Sequence, residues 1–420
     1  MDYDVIVVGG GASGLMAAVT AAGRGKRVLL LEKMDQAGRK LRITGKGRCN
    51  LTNTSPLRDT LPHIGSDARF LRNAYGRFFN QQLMDFFEQR GVALTVERGG
   101  RVFPASGKAL DIFLALMHEL EQNSNVTIRK NTTVKSIKVE NGAWKMECDA
   151  SVSALRFPLS TRIILATGGL SYPTTGSTGA GYRMARELGH TVVEPVPSLV
   201  ALKCQEKIPD DLVGFQLKNV QLSLYEGMSN APMFKSGVGE MTFVQDGLAG
   251  PIVLSASRIA TRRLNAGSPS GNLRAVVDLK PGLTPEQLDR RLLADLDQNG
   301  TRIFNDALRL WLPAELIPLA LPQLHIEYYK RLHQITGEER RRLGRWLKGV
   351  EFTLTGTHDW NEAIVTQGGV ALGEVNPKTM ESRLVKGLYL VGELLDLDAD
   401  TGGYNLQIAF STGHAAGEAV

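Results

Sequence analysis

The sequence predicts an α/β fold: a Rossmann-like domain at the N-terminus, a β-rich insertion, a small helical insertion, and a C-terminal segment that completes the first domain. Three observations carry this. "YDVIVVGGGASGLMAAVTAAGRGKRVLLLEK" reads as strand, glycine turn, helix and second strand. The patterning changes near residue 190. A strand, a glycine turn and a helix then recur at the end, in "KGLYLVGELLD" and "TGGYNLQIAFSTGHAAGEAV".

The elements follow in order. Val5 to Val8 is a β-branched run that breaks at glycines, continues as an Ala-rich helix and returns as Val28 to Leu31. Parallel strands need such a crossover. Apolar residues at helical spacing follow over 69–90 (Phe70, Leu71, Phe78, Phe79, Leu83, Phe86, Phe87) and 108–122 (Leu110, Phe113, Leu114, Met117, Leu120). Short strands are expected at Leu94 to Glu97, Val126 to Arg129, Val134 to Glu140 and Trp144 to Cys148, and "RIILATGG" (162–169) reads as a buried strand running into glycines. From Val192 to Leu279 short strands such as "VALKCQE", "VQLSLYEG" and "AVVDLK" alternate with Gly, Pro, Asn and Asp, which predicts a mostly antiparallel unit. Residues 285–348 turn helical, with "TPEQLDRRLLADL" starting on a Thr cap, Pro first and Glu shortly after. The expected domains are 1–190 with 361–420, a β-rich insertion 191–284 with 349–360, and a helical insertion 285–348.

Composition bounds the function. A chain of 420 residues, 43% hydrophobic and 22% charged, is long enough for two or three cores. Its longest apolar runs, such as "VLLL", fall far short of the ~20 residues a membrane helix needs, and no signal-peptide pattern opens it. A soluble cytoplasmic protein is expected. Cys49, Cys148 and Cys204 are far apart with no C-x-x-C, so no disulfide framework, thiol redox centre or metal site is expected. His325 and His333 read as surface or capping residues rather than ligands. Redox chemistry would have to come from a cofactor. The net charge of +6 favours an anionic partner, nucleic acid or phosphorylated small molecules.

Gly9, Gly11 and Gly14 spell G-x-G-x-x-G between strand and helix, and Glu32 ends the second strand. Gly9 permits the tight turn, Gly11 close approach of a pyrophosphate, and Gly14 packing of helix on sheet; Glu32 can accept from ribose hydroxyls. The C-terminal return favours FAD over a nicotinamide, because flavoproteins use a late strand and helix to hold the ribityl chain and ring. "LYLVGELLD" sets Gly392 and Glu393 at a strand end, "TGGYNLQ" aims the last helix at the ring, and Thr167 to Gly169 add a further close approach. No second G-x-G-x-x-G occurs, so NAD(P)H as reductant would visit the same pocket transiently.

"GRKLRITGKGRCNLTN" (38–53), "GRVFP", "ATGG" with "YPTTGSTGAGY", "TQGGV", "NPKTMESRLVKGLYLVGELLD" and "TGGYNLQIAFSTG" resemble the bacterial YhiN-like or BaiN-like flavoproteins over nearly the whole chain. The resemblance implies a FAD-binding architecture of the two-dinucleotide-fold type. It also implies one of two hydride additions to an activated C=C: uridine to dihydrouridine in large-subunit ribosomal RNA, as in the RdsA-like branch, or reduction of a steroid-type enone. The candidate cofactor contacts are Gly9, Gly11, Ala12, Ser13, Gly14, Glu32, Lys33, Arg39, Lys40, Gly47, Arg48, Cys49, Asn50, Val134, Thr167, Gly168, Gly392, Glu393, Asp396, Gly403, Tyr404, Asn405 and Leu406. One departure stands out: where the family has a histidine and a serine, "FVQDGLAGP" carries Gln245 and Ala249.

The stretch 38–53 is crowded with cations. Some of Arg39, Lys40 and Arg48 are expected to neutralise the FAD phosphates; Arg42 and Lys46 either line the approach of a phosphate-bearing substrate or are simply solvated. Cys49 is either a general acid near the flavin or a small buried space-filler. Tyr404 and Lys46 are the other proton-donor candidates. In "YYKRLHQITGEERRRLGRWLKG" (328–349), Arg340, Arg341, Arg342, Arg345 and Lys348 lie among Tyr328, Tyr329 and Trp346. This is either an RNA-gripping surface or a helix with Trp346 and Leu343 on its core face. The expected function is a FAD-dependent, NAD(P)H-driven reductase that saturates a uridine of ribosomal RNA. The alternatives are a steroid-type ene-reductase and an RNA-binding assembly factor with structural FAD.

Overall fold

A computed structural model describes residues 2–65, 67–140, 142–149, 160–265 and 273–420. The chain forms two compact units, Met1–Ser198 with Trp360–Val420, and Leu199–Asp359.

The first unit is built on a five-stranded sheet. Strand β1 (Val5–Val8) pairs with β2 (Val28–Leu31) in register Val5↔Val28, and on its other side with Ile163–Leu165. Val126–Arg129 lies outside β2 and Leu388–Leu390 outside Ile163–Leu165, and every pairing is parallel. β1, β2, Ile163–Leu165 and Leu388–Leu390 are buried throughout, as uninterrupted apolar runs require when helices cover both sheet faces. The C-terminal return is therefore an edge strand of the first sheet, followed by the closing helix Tyr404–Ala419.

That helix packs on α1 (Ala12–Gly23) with small residues on both sides. A Cβ at Gly413 would meet the carbonyl oxygen of Ser13 at 2.2 Å, and one at Gly417 that of Ala17 at 2.6 Å. Ser13/Ala17 and Gly413/Gly417 are each one turn apart, so two matched stripes let the backbones touch. Smaller pieces complete the unit: the sheet Thr52–Asn53, Arg101–Pro104, Leu94–Glu97; the hairpin Val134–Glu140 with Ala143–Cys148; and Val192–Ser198 antiparallel to Val365–Val370. The helical expectation over 69–90 resolves into a 3-10 turn at Ala68–Leu71 and helices Arg72–Arg77 and Asn80–Glu88, broken where Phe78 leaves helical geometry (φ −144°).

The second unit holds a seven-stranded sheet whose pairings are all antiparallel, for example Ala275↔Phe352 and Leu224↔Ala275. The helices of 285–348 do not form a core of their own. Leu288, Leu292, Leu343 and Leu347 share one cluster with the sheet's Val277 and Phe352, because short amphipathic helices bury an apolar stripe only against a partner. The Thr284 cap is present, and its reciprocal partner is Gln287 rather than the neighbouring Glu. One element contradicts the sequence reading: Pro251–Asn265 is a 15-residue helix inside the stretch read as strands. None of the quoted strands falls in it, its Ala, Leu and Arg outnumber its β-branched residues, and Ile252, Val253, Ala256, Ala260 and Thr261 are buried at helical spacing. Gln245 is exposed at the turn between Gly239–Val244 and Gly247–Ala249, and Ala249 pairs with Thr242.

Candidate active site

The carboxyl ends of β1, Ile163–Leu165 and Leu388–Leu390 converge, which is where open α/β sheets bind ligands. Gly9 has φ +106°, and a Cβ there would lie 2.4 Å from the carbonyl oxygen of Ala166. A Cβ at Gly14 would fall 1.9 Å from the Gly9 oxygen, so helix and turn touch. Gly11 differs: nothing lies within 4 Å of its Cβ position. No side chain caps the start of α1 and its first turn holds no acidic residue, so the N–H groups of Gly11, Ala12 and Ser13 form an open positive end. Glu32 is buried, its oxygens accepting from the N–H groups of Gly10 (2.8 Å) and Met34 (2.8 Å). Lys33 donates to Thr178 Oγ1 at 2.8 Å, and burial lowers its pKa. An open turn against a helix end, with a carboxylate on the next strand, fits the pyrophosphate and ribose of a dinucleotide.

Glu393 anchors the middle of the site. Its Oε1 accepts from Ser171 Oγ (2.6 Å) and the Thr366 N–H (2.8 Å), and its Oε2 pairs with Lys40 Nζ (2.6 Å), which also contacts Ser171 Oγ. Thr366 Oγ1 receives the N–H of Leu170 and of Ser171. Burial pushes the Glu393 carboxyl up, but the Lys40 charge and these hydrogen bonds outweigh it and hold the pKa below the ordinary value. Gly168 has φ +72°. Gly392 rests on α1, since a Cβ there would lie 2.5 Å from Ser13 Oγ. Asp396 donates its N–H to Val370 O, and Val134 is buried in the hairpin 134–148.

The sequence "CNLTN" seats the turn of the closing helix. A Cβ at Gly403 (φ +100°) would lie 2.3 Å from the Thr52 oxygen. Asn53 Nδ2 donates to the carbonyls of Gly99 and Gly402, and the Thr52 hydroxyl bonds Gln407. Asn50, with its amide oriented to satisfy both partners, accepts from Gly403 N–H and donates to Thr52 O. Asn405 clamps Ala399 and Asp400 through its side chain, while Leu406 is half-buried. Tyr404 is 5% exposed and begins the helix. Burial raises its pKa, partly offset by the Ser55 hydroxyl.

Two expectations are corrected here. Cys49 is 0% exposed and offers no surface to cofactor or substrate; burial pushes its thiol up to about 12, and its φ of +59° marks it as part of the turn. It is the space-filling reading that the structure supports. Three of the five cations of 38–48 are ion-paired within the protein, Arg39 with Asp35, Lys40 with Glu393 and Arg48 with Glu97, while Arg42 bonds the neutral Gln36. Lys46, beside Gly47 in the left-handed run 45–47, is exposed with no ion-pair partner among the described residues.

A family model described as "HI0933-like protein Rossmann domain" matches residues 3–419. The chain belongs to this family. It is an enzyme, of the FAD-dependent oxidoreductase kind. Two relatives align end to end. The 3-dehydro-bile acid delta(4,6)-reductase of Clostridium scindens is 34% identical over 98% of each chain. The ribosomal RNA dihydrouridine synthase of Escherichia coli is 28% identical over 99% of this chain and 97% of its own. Among solved structures, a quinol-fumarate reductase with menaquinol superposes with a TM-score of 0.51 at 17% identity, covering 99% of this chain and 70% of that one. This likeness shows the fold alone.

The basic helix Gly337–Lys348 is also corrected. Arg340 makes a two-pronged pair with Asp289, Arg342 donates to the carbonyls of Leu324 and His325, and Lys348 pairs with Asp278. Trp346 is buried and donates to Gln323. Three of the five predicted RNA contacts thus hold the second unit together, and Arg341 and Arg345 alone among them stay exposed. Sequence reading missed Ser171, which lies between the quoted motifs "ATGG" and "YPTTGSTGAGY", and Thr366, which opens "TQGGV" but was given no role. It also missed His63, whose Nδ1 lies 2.9 Å from Asp400 Oδ2 and whose ring stacks on Tyr404 at 4.6 Å and 12°.

Proposed function

We propose that this protein uses FAD, recharged by NAD(P)H, to saturate an activated C=C, and that its substrate is a uridine of large-subunit ribosomal RNA. The observation that supports an RNA substrate is a cationic strip on the first unit. Lys46, Arg98 and Lys108 are exposed and face no carboxylate among the described residues, while Arg48 and Arg101 share Glu97. The pairing Asn53↔Arg101 and the bond from Ala109 N–H to Gly47 O (2.7 Å) bring these segments together. This excess of cations over carboxylates, extended along a strip, suits a phosphate backbone with its repeated charges. The strip adjoins Thr52 and Asn53, on which Gly402 and Gly403 rest, so it leads to the closing-helix end of the site.

In this reading Gly9, Gly11, Ala12, Ser13 and Gly14 hold the pyrophosphate, Glu32 the ribose, and Thr167, Gly168, Gly392, Glu393 and the turn Gly403–Leu406 the ribityl and ring end. Bound FAD supplies hydride. The chain's own part is to fix its orientation and to deliver the second proton that saturation requires. A second reading, reduction of a steroid-type enone, is favoured by the higher identity to the Clostridium scindens protein.

The test is stopped-flow reoxidation of the NADPH-reduced protein by large-subunit ribosomal RNA transcribed in vitro, against a 4-en-3-one steroid. RNA should accelerate reoxidation, with mass spectrometry showing two hydrogens gained on uridine. Acceleration by the steroid alone would transfer the assignment to the second reading. A protein whose flavin NAD(P)H cannot reduce would refute both.

A further inference from the structure

We propose that His63 is the proton donor of this reduction. The inference rests on the reading above and deepens it. Saturating a C=C takes hydride on one carbon and a proton on its neighbour. Of the donors the sequence offered, Cys49 is enclosed, Tyr404 is buried with its pKa raised, and Lys46 sits on the outward loop of the cationic strip.

His63 has the geometry these lack. Its Nδ1 faces Asp400 Oδ2 at 2.9 Å, and a carboxylate only accepts, so Nδ1 is the donor of that bond; in this proposal Nε2 delivers the second proton. The ring is held face to face with Tyr404, the first residue of the closing helix. The backbone is fixed as well: Asp400 N–H donates to His63 O (2.9 Å), Gly65 N–H to Asp398 O (2.8 Å), and Ile64 bridges Ala399. Asn405, the second residue of the helix, clamps the segment opposite at Ala399 and Asp400. A charged carboxylate, a stacked ring and a paired backbone thus orient one imidazole at the end of the helix assigned to the ring. Its side chain is 42% exposed, so solvent can return the proton.

The balance is as follows. One carbon receives hydride, two electrons and a proton, from the reduced cofactor, which returns to its oxidised form. The other carbon receives the proton on Nε2 of the His63 imidazolium, which becomes neutral imidazole and is reprotonated from water. In a separate step NAD(P)H becomes NAD(P)+ and recharges the cofactor, so the sum is C=C plus NAD(P)H plus H+ to the saturated product plus NAD(P)+.

Two variants test this: His63→Gln, which keeps a polar side chain that cannot act as an acid, and His63→Phe, which keeps the stack on Tyr404. Both should load FAD and be reduced by NADPH. Their reoxidation by the acceptor that serves the wild type, transcribed RNA or the 4-en-3-one, should slow by about 10²- to 10⁴-fold. The loss should be confined to carbon acceptors, because ferricyanide takes electrons without needing a proton on carbon. A readout independent of turnover is carbethoxylation of His63 by diethylpyrocarbonate, mapped by peptide mass: it should be fast in the FAD-free protein and slowed when FAD binds. Variants with wild-type reoxidation, an equal loss towards ferricyanide, or a His63 whose labelling FAD does not slow would each overturn the proposal. A wild-type protein reoxidised by neither carbon acceptor would instead overturn the function on which it rests.

Discussion

Gly413→Ala should destabilise the protein although it replaces glycine with the best helix former. In a helix interior alanine gains about 1 kcal/mol over glycine. Against this, the new Cβ would lie 2.2 Å from the Ser13 oxygen and 3.0 Å from its carbonyl carbon, where ordinary contact begins near 3.4 Å. The neighbour is backbone of α1 and cannot swing aside, so the two helices must part by about 1 Å, an overpacking penalty of about 1–3 kcal/mol. With the alanine gain of about 1 kcal/mol set against it, the net loss runs up to about 2 kcal/mol. Because the displaced residue is Ser13, in the glycine turn's own helix, FAD affinity should fall with stability. Gly23→Ala is the control: nothing lies within 4 Å of its Cβ position at the end of α1, so the same substitution should be neutral or stabilising. Urea midpoints of both variants and fluorescence titration with FAD measure the contrast. A Gly413→Ala protein as stable as wild type would refute the argument from helix contact.

Gly11→Leu has the opposite signature: nothing in the protein meets its Cβ and its φ is −78°, so the urea midpoint should stay put while FAD binding is lost, read by titration of the apoprotein. Glu393 has a pKa lowered in the fold, so its stabilisation is full above the ordinary carboxylate value and is lost as pH falls through the folded value. The stability difference between wild type and Glu393→Gln should therefore shrink as pH falls below the ordinary carboxylate range, in urea melts on both sides of it. Cys49→Ala should keep full turnover, and the wild-type Cys49 thiol should resist iodoacetamide until the protein is unfolded, since burial holds its pKa at about 12. Arg98→Glu with Lys108→Glu should lower the slope of log K for RNA against log salt by about 0.7–0.9 for each phosphate contact removed; Arg340→Ala should leave that slope alone and lower the urea midpoint, because its partner is Asp289.

Much of the fold was legible in the sequence because its signals are local. β1 and β2 are runs of apolar residues, the turn between them needs glycine at Gly9 for a φ of +106°, and the C-terminal strand and helix carry the same pattern. The helix Pro251–Asn265 lies between stretches that do form strands, and its own readable signal, apolar residues at 252, 253, 256 and 260 with Ala, Leu and Arg among them, was passed over in the pattern of its neighbours. The arginines of Gly337–Lys348 looked free because their partners lie far off in sequence, Asp289 for Arg340 and Leu324 O for Arg342.

By itself, the sequence determined the βαβ start, the dinucleotide turn with Glu32, and the return of the chain to its first sheet, because backbone conformation and hydrophobic period are set by near neighbours. Only the tertiary structure decided what each charged or reactive side chain faces. Cys49 is enclosed rather than presented, Lys40 finds Glu393 across 353 residues, and His63 finds Asp400 across 337. Burial and pairing depend on groups distant along the chain, and those distances close only when the sheet and the closing helix come together.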